Sequence, residues 1–222
     1  MRFNPVIIDS ATLMNCDCME YMATLPDKAF DLAIVDPPYG IGGNKNTTGN
    51  HKKINWDDNV PTDEYFDELR RVSNMQIIWG ANYFRNLIGG MIVWNKLGTD
   101  IGRRKQVDTQ SDCEIAYVSE GMRIKMFSYA QIGNVFGNDY QIDWNQNRIH
   151  PTQKPIKLYE WLLTNYAQAG DKILDTHGGS FSSAIACNNL GFDFTGIELD
   201  SDYYEAAVKR VSAANQQLRM FA

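Results

Sequence analysis

The chain has 222 residues, of which 44% are hydrophobic, so it is long enough to bury a substantial core as one large domain. No run of about 18 apolar residues occurs, which excludes an ordinary membrane-spanning helix and predicts a protein without a membrane partner. The formal net charge of −6 excludes a surface that is basic overall, although a local basic face would still suffice to bind DNA.

The cysteines and the N-terminus indicate the compartment. Cys16, Cys18, Cys113 and Cys187 are scattered, and the first two are too close together for an ordinary disulfide or a CxxC zinc site. The first residues lack the apolar segment of a secretory signal. We therefore expect reduced thiols, no bound metal and a cytoplasmic location.

The first predicted unit is a strand followed by a helix. Thr12 to Cys16 predicts a short strand, and Met19 to Leu25 predicts a helix that Pro26 ends. Asp17 lies between them, at the tip of the strand. Two interpretations are open: its carboxylate could accept from the amino group of a bound adenine, or it could cap the helical segment that starts at Cys18.

The next unit ends in the tetrapeptide Asp36-Pro37-Pro38-Tyr39. Phe30 to Val35 is an apolar run that predicts a buried strand, and the two prolines end it because neither can donate to a sheet ladder. Asp36 is therefore held at the carboxyl end of a strand, where open α/β sheets bind their ligands. The alternatives are a plain strand-ending turn or an exposed Pro-Pro-Tyr peptide ligand.

This tetrapeptide suits one chemistry. The lone pair of an exocyclic amine on a nucleobase is delocalised into the ring, which makes the amine a poor nucleophile. A carboxylate such as that of Asp36 and a fixed carbonyl such as that of Pro37 can accept both N–H groups and draw the nitrogen toward tetrahedral geometry. Tyr39 can stack on a base that has left the duplex.

The middle of the chain predicts further regular elements. Residues 40–60 form a long polar connection that could close over DNA or be an ordinary surface loop. The predicted elements that follow it are a helix from Thr62 to Arg71, strands at Met75 to Trp79, Met91 to Trp94 and Glu114 to Val118, a helix at Ala81 to Leu87, and a strand at Arg123 to Tyr129 that pairs with the strand before it as a hairpin.

Two polar segments interrupt these elements. Residues 97–112 are basic and contain Arg103-Arg104-Lys105, and residues 131–148 are rich in Asn, Gln and aromatic residues. Asn and Gln can pair with adenine, and Arg can pair with guanine. The two segments therefore predict a small target-recognition region at about 97–148, with ordinary polar surface loops as the alternative.

The last third of the chain begins with the hexapeptide His150-Pro151-Thr152-Gln153-Lys154-Pro155, which precedes a predicted helix at Leu158 to Ala167. A helix N-terminus with a nearby lysine is an anion site. Lys172 to Leu174 then predicts a strand that ends at Asp175, and it is followed by a loop of small residues, a helix and a second strand that ends at Glu198. An acid about 20 residues past such a loop can accept from two ribose hydroxyls, so this unit predicts a nucleotide site.

These motifs together resemble the β class of amino-methylating DNA methyltransferases, in which the reactive tetrapeptide comes first, the recognition region next and the cofactor loop last. The resemblance covers nearly the whole chain, whose short form resembles phage or prophage members. It implies a Rossmann-like three-layer α/β sandwich with a mostly parallel sheet, an antiparallel edge strand and a circularly permuted order. It also implies S-adenosyl-L-methionine as cofactor, double-stranded DNA as partner and a possible homodimer.

The resemblance also implies a role for each matching residue. Asp36 and the Pro37 carbonyl hold the target amine beside Pro38, and Tyr39 stacks on the base. Asp17 with Cys18, and Glu198 with Leu199, hold the adenine and ribose of the cofactor, with Asp36 at the end of the same site. The methionine part is wrapped by Asp175, Thr176, His177, Gly178, Gly179, Ser180 and Ser182, aided by Thr152 and Lys154.

An aspartate at the first position of the tetrapeptide favours adenine N6 as the methylated atom in this family, with cytosine N4 or an RNA base as alternatives. The chain departs from the family at Phe181, which replaces a glycine. We expect Phe181 to have an ordinary φ, with Gly178 and Gly179 carrying any left-handed turn, and its ring to be core near Ile185. A ring that filled the methionine pocket would instead favour a catalytically silent DNA-binding module.

Overall fold

The computed structural model describes residues 3–42, 57, 59–97, 111–132, 135–137 and 148–221, which form eleven strands and five helices. The strands are β1 (Val6–Ile8), β2 (Ala11–Asn15), β3 (Phe30–Val35), β4 (Ser73–Trp79), β5 (Gly90–Asn95), β6 (Cys113–Val118), β7 (Ile124–Ser128), β8 (Ala130–Ile132), β9 (Val135–Gly137), β10 (Lys172–Asp175) and β11 (Asp193–Glu198). The helices are α1 (Cys18–Met22), α2 (Asp63–Val72), α3 (Ile156–Tyr166), α4 (Ser182–Leu190) and α5 (Ser201–Phe221).

Nine of these strands form one sheet in the order β1-β2-β11-β10-β3-β4-β6-β5-β7. The run from β2 to β4 is parallel throughout, and β5 pairs in parallel with β7. β1 is antiparallel at one edge, and β6 is antiparallel to both of its neighbours inside the sheet. The predicted mostly parallel sheet with an antiparallel edge strand is confirmed, and the reversal at β6 was not predicted.

Alternate residues of the central strands face two helical layers. On β3, Leu32 and Ile34 belong to a core cluster that includes α3 and α4, whereas Ala33 and Val35 belong to a second cluster that includes α2. A strand buried on both faces has a continuous apolar sequence, which is why Phe30–Val35 predicts a strand so clearly. The helix–sheet–helix layering confirms the predicted three-layer sandwich.

The helix predicted at Ala81 to Leu87 is wrong, because this segment consists of turns and bends. The backbone N–H groups of Gly80 and Ala81 both donate to the carbonyl of Ile115, which ties the start of the segment to β6. Asn86 has a φ of 63°, and a residue in this left-handed region cannot continue a right-handed helix. The apolar spacing of the segment reflects aromatic packing instead.

The hairpin predicted between Glu114 to Val118 and Arg123 to Tyr129 is also wrong, because β5 lies between β6 and β7. On β7, Ile124 and Met126 are 74% and 65% exposed, which suits a strand at the sheet edge rather than one in its interior. The edge strand β1 was not predicted, since three residues carry too little periodicity to mark a strand.

The predicted target-recognition region at about 97–148 is described only in part. β6 and β7 belong to the main sheet, and β8 and β9 form a separate two-stranded antiparallel sheet. The basic segment with Arg103-Arg104-Lys105, most of the segment 131–148 and residues 43–56 of the long polar connection lie outside the described residues. The recognition region therefore stays a prediction.

The carboxyl ends of four adjacent parallel strands, β2, β11, β10 and β3, meet at one edge of the sheet. Asp17 follows the first of these strands, Glu198 and Asp175 end the next two, and Asp36 follows the fourth. These four acids, each predicted at the tip of a strand, therefore lie at one edge of the sheet. None of the helices described combines the length and the apolar character that crossing a bilayer requires.

The ring of Phe181 is core, as predicted. It is 0% exposed and packs edge-on against Phe194 and Tyr204. A Cβ atom on Gly178 or on Gly196 would collide with this ring, so both glycines make room for it. The ring thereby anchors the loop that precedes α4 to the core of the domain.

The expectation for the backbone of Phe181 is wrong. Its φ of 50° and ψ of 39° lie in the left-handed region, as does Gly179 with a φ of 52°. A left-handed conformation costs a residue with a Cβ atom about 1–2 kcal/mol. The buried ring of Phe181 outweighs this cost, since burying a large apolar side chain stabilises a protein by about 1.5–3 kcal/mol.

Two variants of Phe181 separate the ring from the backbone. Phe181→Ala and Phe181→Gly both remove the ring and should lower the free energy of unfolding by about 3–5 kcal/mol. Only glycine also relieves the left-handed strain, so we expect the glycine variant to be more stable than the alanine variant by about 1 kcal/mol. Urea unfolding measures both, and an alanine variant at least as stable as the glycine variant would contradict the left-handed backbone.

Candidate functional site

A cavity of about 720 Å³ opens at the carboxyl edge of the sheet, which is within the range of small-molecule sites. The predicted site residues that line it are Asp17, Cys18, Asp36, Pro38, Thr152, Lys154, Thr176, His177, Gly178, Gly179, Ser180, Glu198 and Leu199. Four others, Pro37, Tyr39, Asp175 and Ser182, are not part of the lining. The tetrapeptide, the hexapeptide and the loop before α4 thus share one cavity.

Asp36 is held by two strong hydrogen bonds. Its Oδ1 accepts from the hydroxyl of Tyr39 at 2.5 Å, and its Oδ2 accepts from the ammonium of Lys154 at 2.5 Å. Burial raises the pKa of Asp36, and the charge of Lys154 opposes this rise. The carboxylate is therefore fixed in one orientation at the cavity wall.

The ring of Tyr39 packs within an aromatic cluster of the protein. It stacks on Tyr83 at a centroid distance of 4.9 Å and meets Phe84 edge-on. Gly80, with a φ of 77°, lets the ring approach, because a Cβ atom at this position would overlap it. Tyr83 is the outer ring of the stack, at 39% exposure, and the sequence pattern did not identify it.

Asp57 fixes the backbone that leaves the tetrapeptide. Its side chain is 3% exposed, and its Oδ1 accepts from the backbone N–H groups of Tyr39 at 2.7 Å and Gly40 at 3.1 Å. Its carbonyl accepts from the N–H of Gly42 at 3.0 Å. Sequence reasoning missed Asp57 because it belongs to a polar segment without periodicity, 18 residues after Tyr39.

The ammonium of Lys154 lies between two carboxylates. Its Nζ is 2.5 Å from Asp36 Oδ2 and 3.2 Å from Glu114 Oε2, and it lies 5.4 Å from the centroid of the Trp79 ring. Burial acts to lower the pKa of Lys154, but the two carboxylates outweigh it and raise the pKa. The charge of Lys154 is thus already matched within the protein, and its role as an anchor for an anionic group stays a prediction.

Glu198 lines the same cavity as Asp36. Its Oε2 accepts from the N–H of Gly179 at 2.8 Å, and its Oε1 accepts from the N–H of Asp200 at 2.8 Å. Burial raises the pKa of Glu198, while these backbone donors oppose the rise. The carboxylate is thus fixed by the backbone, and each of its oxygens has a further lone pair for a hydroxyl donor.

Asp17 caps a helix at the edge of the cavity, and its contact with a cofactor adenine stays a prediction. Its Oδ1 accepts from the N–H groups of Met19 at 2.7 Å and Glu20 at 3.2 Å, so it caps α1. Asp17 also lines the cavity together with Cys18 and Leu199. The capping bonds therefore hold the carboxylate at the edge of the cavity.

Asp175 and Ser182 do not line the cavity but hold the loop before α4, and their contact with a cofactor stays a prediction. Asp175 Oδ2 accepts from the hydroxyl of Ser183 at 2.6 Å, and burial raises the pKa of Asp175 to about 7. The Arg210 guanidinium donates to the Ser180 carbonyl at 2.8 Å and to the Ser182 hydroxyl at 3.2 Å. Both residues therefore hold the shape of the loop through hydrogen bonds to other protein groups.

A short series of hydrogen bonds holds the start of the loop that follows β10. The Tyr65 hydroxyl lies 2.7 Å from Thr176 Oγ1, which lies 2.9 Å from Nδ1 of His177. Burial lowers the pKa of His177 to about 4, so its ring is neutral near pH 7. His177 therefore shapes the cavity without adding charge.

Residues that sequence reasoning did not assign complete the walls. Thr152 Oγ1 lies 3.1 Å from His150 Nδ1, and the His150 ring packs edge-on against Tyr203 at 4.4 Å. The unassigned lining residues are Cys16, Met19, His150, Gln153, Tyr159, Asp200, Ser201 and Tyr203. Most of them neighbour an assigned motif, whereas Tyr159 and Tyr203 have the sequence pattern of ordinary helix core positions.

Comparison with known proteins identifies relatives along nearly the whole chain. The N6/N4 methyltransferase family model, described as DNA methylase, matches residues 80–209. A protein of Escherichia coli (strain K12) named as a methylase, YubD, is 26% identical over 220 residues, covering 93% of this chain and 92% of that protein. The type II methyltransferase M.HpaI of Haemophilus parainfluenzae is 24% identical over 234 residues, covering 90% of this chain and 74% of that protein.

Solved structures share the fold. The M1.HpyAVI–SAM complex matches with a TM-score of 0.57 and 22% identity, covering 90% of this chain and 99% of that chain. The PvuII DNA methyltransferase, named as cytosine-N4-specific, matches with a TM-score of 0.58 and 10% identity, covering 94% of this chain and 92% of that chain. At these identities the likeness shows a common architecture.

The tether from Asp57 predicts a graded loss of stability. Asp57→Ala removes the acceptor of two backbone N–H groups beside Tyr39, so it should lower the free energy of unfolding by roughly 1–3 kcal/mol. Asp57→Asn keeps the Oδ1 acceptor, so its free energy of unfolding should fall by clearly less. Asp67→Ala, at an exposed position of α2, is the control and should change little. Equal losses in the two Asp57 variants would contradict the tether.

Proposed function

This chain belongs to the N6/N4 DNA methylase family, and we propose that it is a site-specific DNA methyltransferase that moves a methyl group from S-adenosyl-L-methionine to N6 of an adenine in double-stranded DNA. The observation that carries the proposal is that Asp36 and Glu198 line the same cavity. Asp36 would offer an acceptor for an amine, and Glu198 would offer an acceptor for ribose hydroxyls. A cofactor and a target base could therefore meet inside it.

Two acceptors at the tetrapeptide would hold the target amine. Each oxygen of Asp36 keeps a lone pair for a further donor, and the Pro37 carbonyl belongs to a backbone that the prolines and Asp57 make rigid. Binding both N–H groups draws the nitrogen toward tetrahedral geometry and frees its lone pair for attack on the methyl carbon. Asp36 would also accept the proton that the amine releases as the N–C bond forms and the C–S bond breaks.

The cavity residues Glu198 and Asp17 would hold S-adenosyl-L-methionine, which supplies a methyl group on a positively charged sulfur. The carboxylates of Glu198 and Asp17 are both fixed by backbone N–H groups at the cavity wall. Gly179 is left-handed and has no side chain, so the backbone of the loop can approach a ligand closely. M1.HpyAVI, which shares the fold, was solved as a complex with SAM, and this supports the same cofactor for this chain.

Aromatic rings beside Asp36 would receive the extruded base. Taking a base out of the duplex costs a few kcal/mol of stacking, which a new stacking partner offsets. Tyr39 and Tyr83 are already stacked on each other, and Tyr83 is the more exposed of the two. We therefore extend the proposed stacking surface from Tyr39 to include Tyr83.

Adenine N6 is favoured over cytosine N4 because an aspartate opens the tetrapeptide. Cytosine N4 is the second candidate, since the PvuII enzyme that shares the fold is named as specific for that atom. Both bases carry an amine beside a ring nitrogen, so the two reactions need the same acceptors. The methylated nucleoside must therefore be identified directly.

Mass spectrometry of nucleosides from double-stranded DNA treated with the protein and S-adenosyl-L-methionine tests this function. We expect N6-methyldeoxyadenosine from the parent and a loss of roughly 10²-fold or more in rate for Asp36→Ala, since a preorganised acceptor is removed. Asp67→Ala should keep the parental rate. N4-methyldeoxycytidine would replace the adenine assignment, and no methylated base from a folded protein that binds the cofactor would overturn the function.

Glu198→Ala should weaken the binding of S-adenosyl-L-methionine. Losing a charged acceptor from the ribose site costs roughly 1.5–3 kcal/mol, which corresponds to about ten- to a hundredfold in dissociation constant. Calorimetric titration of the cofactor measures this change. Glu205→Ala, at an exposed position of α5, is the control. An unchanged dissociation constant in the Glu198 variant would rule out its ribose role.

A further inference from the structure

Four charged side chains form a continuous series of ion pairs that starts at the reactive carboxylate. Asp36 Oδ2 is 2.5 Å from Lys154 Nζ, and that ammonium is 3.2 Å from Glu114 Oε2. Glu114 Oε1 is 3.1 Å from the Nζ of Lys96. The charges alternate in sign and sum to zero, and the side chains of Lys154 and Lys96 are only 4% and 14% exposed.

The reversal of β6 explains how Glu114 reaches this place. The parallel strands β2, β11, β10 and β3 bring their carboxyl ends to the cavity edge, so they contribute residues that end or follow a strand. β6 runs in the opposite direction and brings its amino end there instead. Glu114, the second residue of β6, therefore lies beside the same ammonium as Asp36, which follows β3.

We propose that Glu114 is a positioning residue for methyl transfer, which shares the Lys154 ammonium with Asp36 and so keeps the reactive carboxylate oriented and a strong acceptor for the target amine. The proposal rests on the proposed function and assigns Glu114 a part in the same site. Glu114 does not line the cavity and acts through Lys154.

The balance of charges explains why a second carboxylate is needed. If Lys154 faced Asp36 alone, the buried ion pair would hold the carboxylate tightly and make it a weaker acceptor for an amine. If Lys154 were absent, two carboxylates would share the site and one of them would take up a proton. Lys96 pairs with Oε1 of Glu114 and offsets part of its charge. The attraction of Glu114 for Lys154 is thereby weakened, and Lys154 stays paired with Asp36.

The electrostatic directions agree with this balance. Burial and Glu114 raise the pKa of Asp36, while Lys154 lowers it. Burial acts to raise the pKa of Glu114, but Lys154 and Lys96 together lower it. Other titratable groups that face Asp36 or its partners are Tyr39, Tyr65, Tyr159, Asp175 and Arg148.

Three variants give a pattern of signs that a merely structural role would not produce. Glu114→Gln removes a negative charge and should lower the pKa of Asp36 by about one unit. Lys154→Met removes the positive charge and should raise it by about one unit or more. Lys96→Met, at the outer end of the series, disturbs the site least and should raise it by less.

The experiment follows the Asp36 carboxyl carbon by NMR against pH, with Asp36→Asn to assign the signal, because Asp175 titrates close by. In a profile of kcat for DNA methylation against pH, the fall in kcat on the acidic side should shift with the pKa of Asp36 in each variant. For Glu114→Gln the maximal kcat should fall about tenfold while KM for S-adenosyl-L-methionine stays unchanged, since the change affects an acceptor of the reaction indirectly. Glu160→Gln, which removes a carboxylate that pairs with Lys157 on α3, is the matched control. It should change neither the pKa of Asp36 nor kcat.

The outcomes separate this proposal from the proposed function. Opposite shifts in Glu114→Gln and Lys154→Met support it, and an Asp36 pKa that is the same in Glu114→Gln and in Glu160→Gln overturns it. If Glu114→Gln does not fold, Lys96→Met decides instead. A raised pKa of Asp36 in Lys96→Met supports the proposal, and an unchanged pKa overturns it. If the parent methylates no base, the proposed function fails, and the titration of Asp36 alone still decides the role of Glu114.

Discussion

The buried ammonium of Lys154 is the interaction on which the rest of the site depends. It joins the segment before α3 to the end of β3 and to the start of β6, and these three parts of the chain are far apart in sequence. An unpaired charge in this place would cost several kcal/mol, so its two carboxylate partners must be present for the segments to meet. The same contacts that hold the fold together therefore orient Asp36.

The sheet supplies this geometry through strand direction. Parallel strands deliver Asp17, Glu198 and Asp36 to one edge, and the single interior reversal delivers Glu114. Prolines then end β3 abruptly, and Asp57 fixes the chain that leaves it. The site is thus built from strand ends that the core holds rigid.

Sequence patterns predicted the parts of this structure that local physics determines. The apolar run of β3, the acids at strand tips and the loop before α4 all follow from periodicity and from the chemistry of a few adjacent residues. The position of β5 between β6 and β7, the tether from Asp57 and the pairing of Glu114 with Lys154 depend on contacts between distant segments, which periodicity does not encode. Phe181 shows the same limit, because its left-handed backbone depends on the space that Gly178 and Gly196 leave for its ring.

A crystal structure with S-adenosyl-L-methionine bound tests most directly whether one cavity serves both the cofactor and the target amine. We expect the ribose hydroxyls to donate to Glu198, the adenine to lie beside Asp17, and the methyl group to face the space next to Asp36 and the Pro37 carbonyl. A cofactor that binds elsewhere, or one whose methyl group points away from Asp36, would contradict this arrangement.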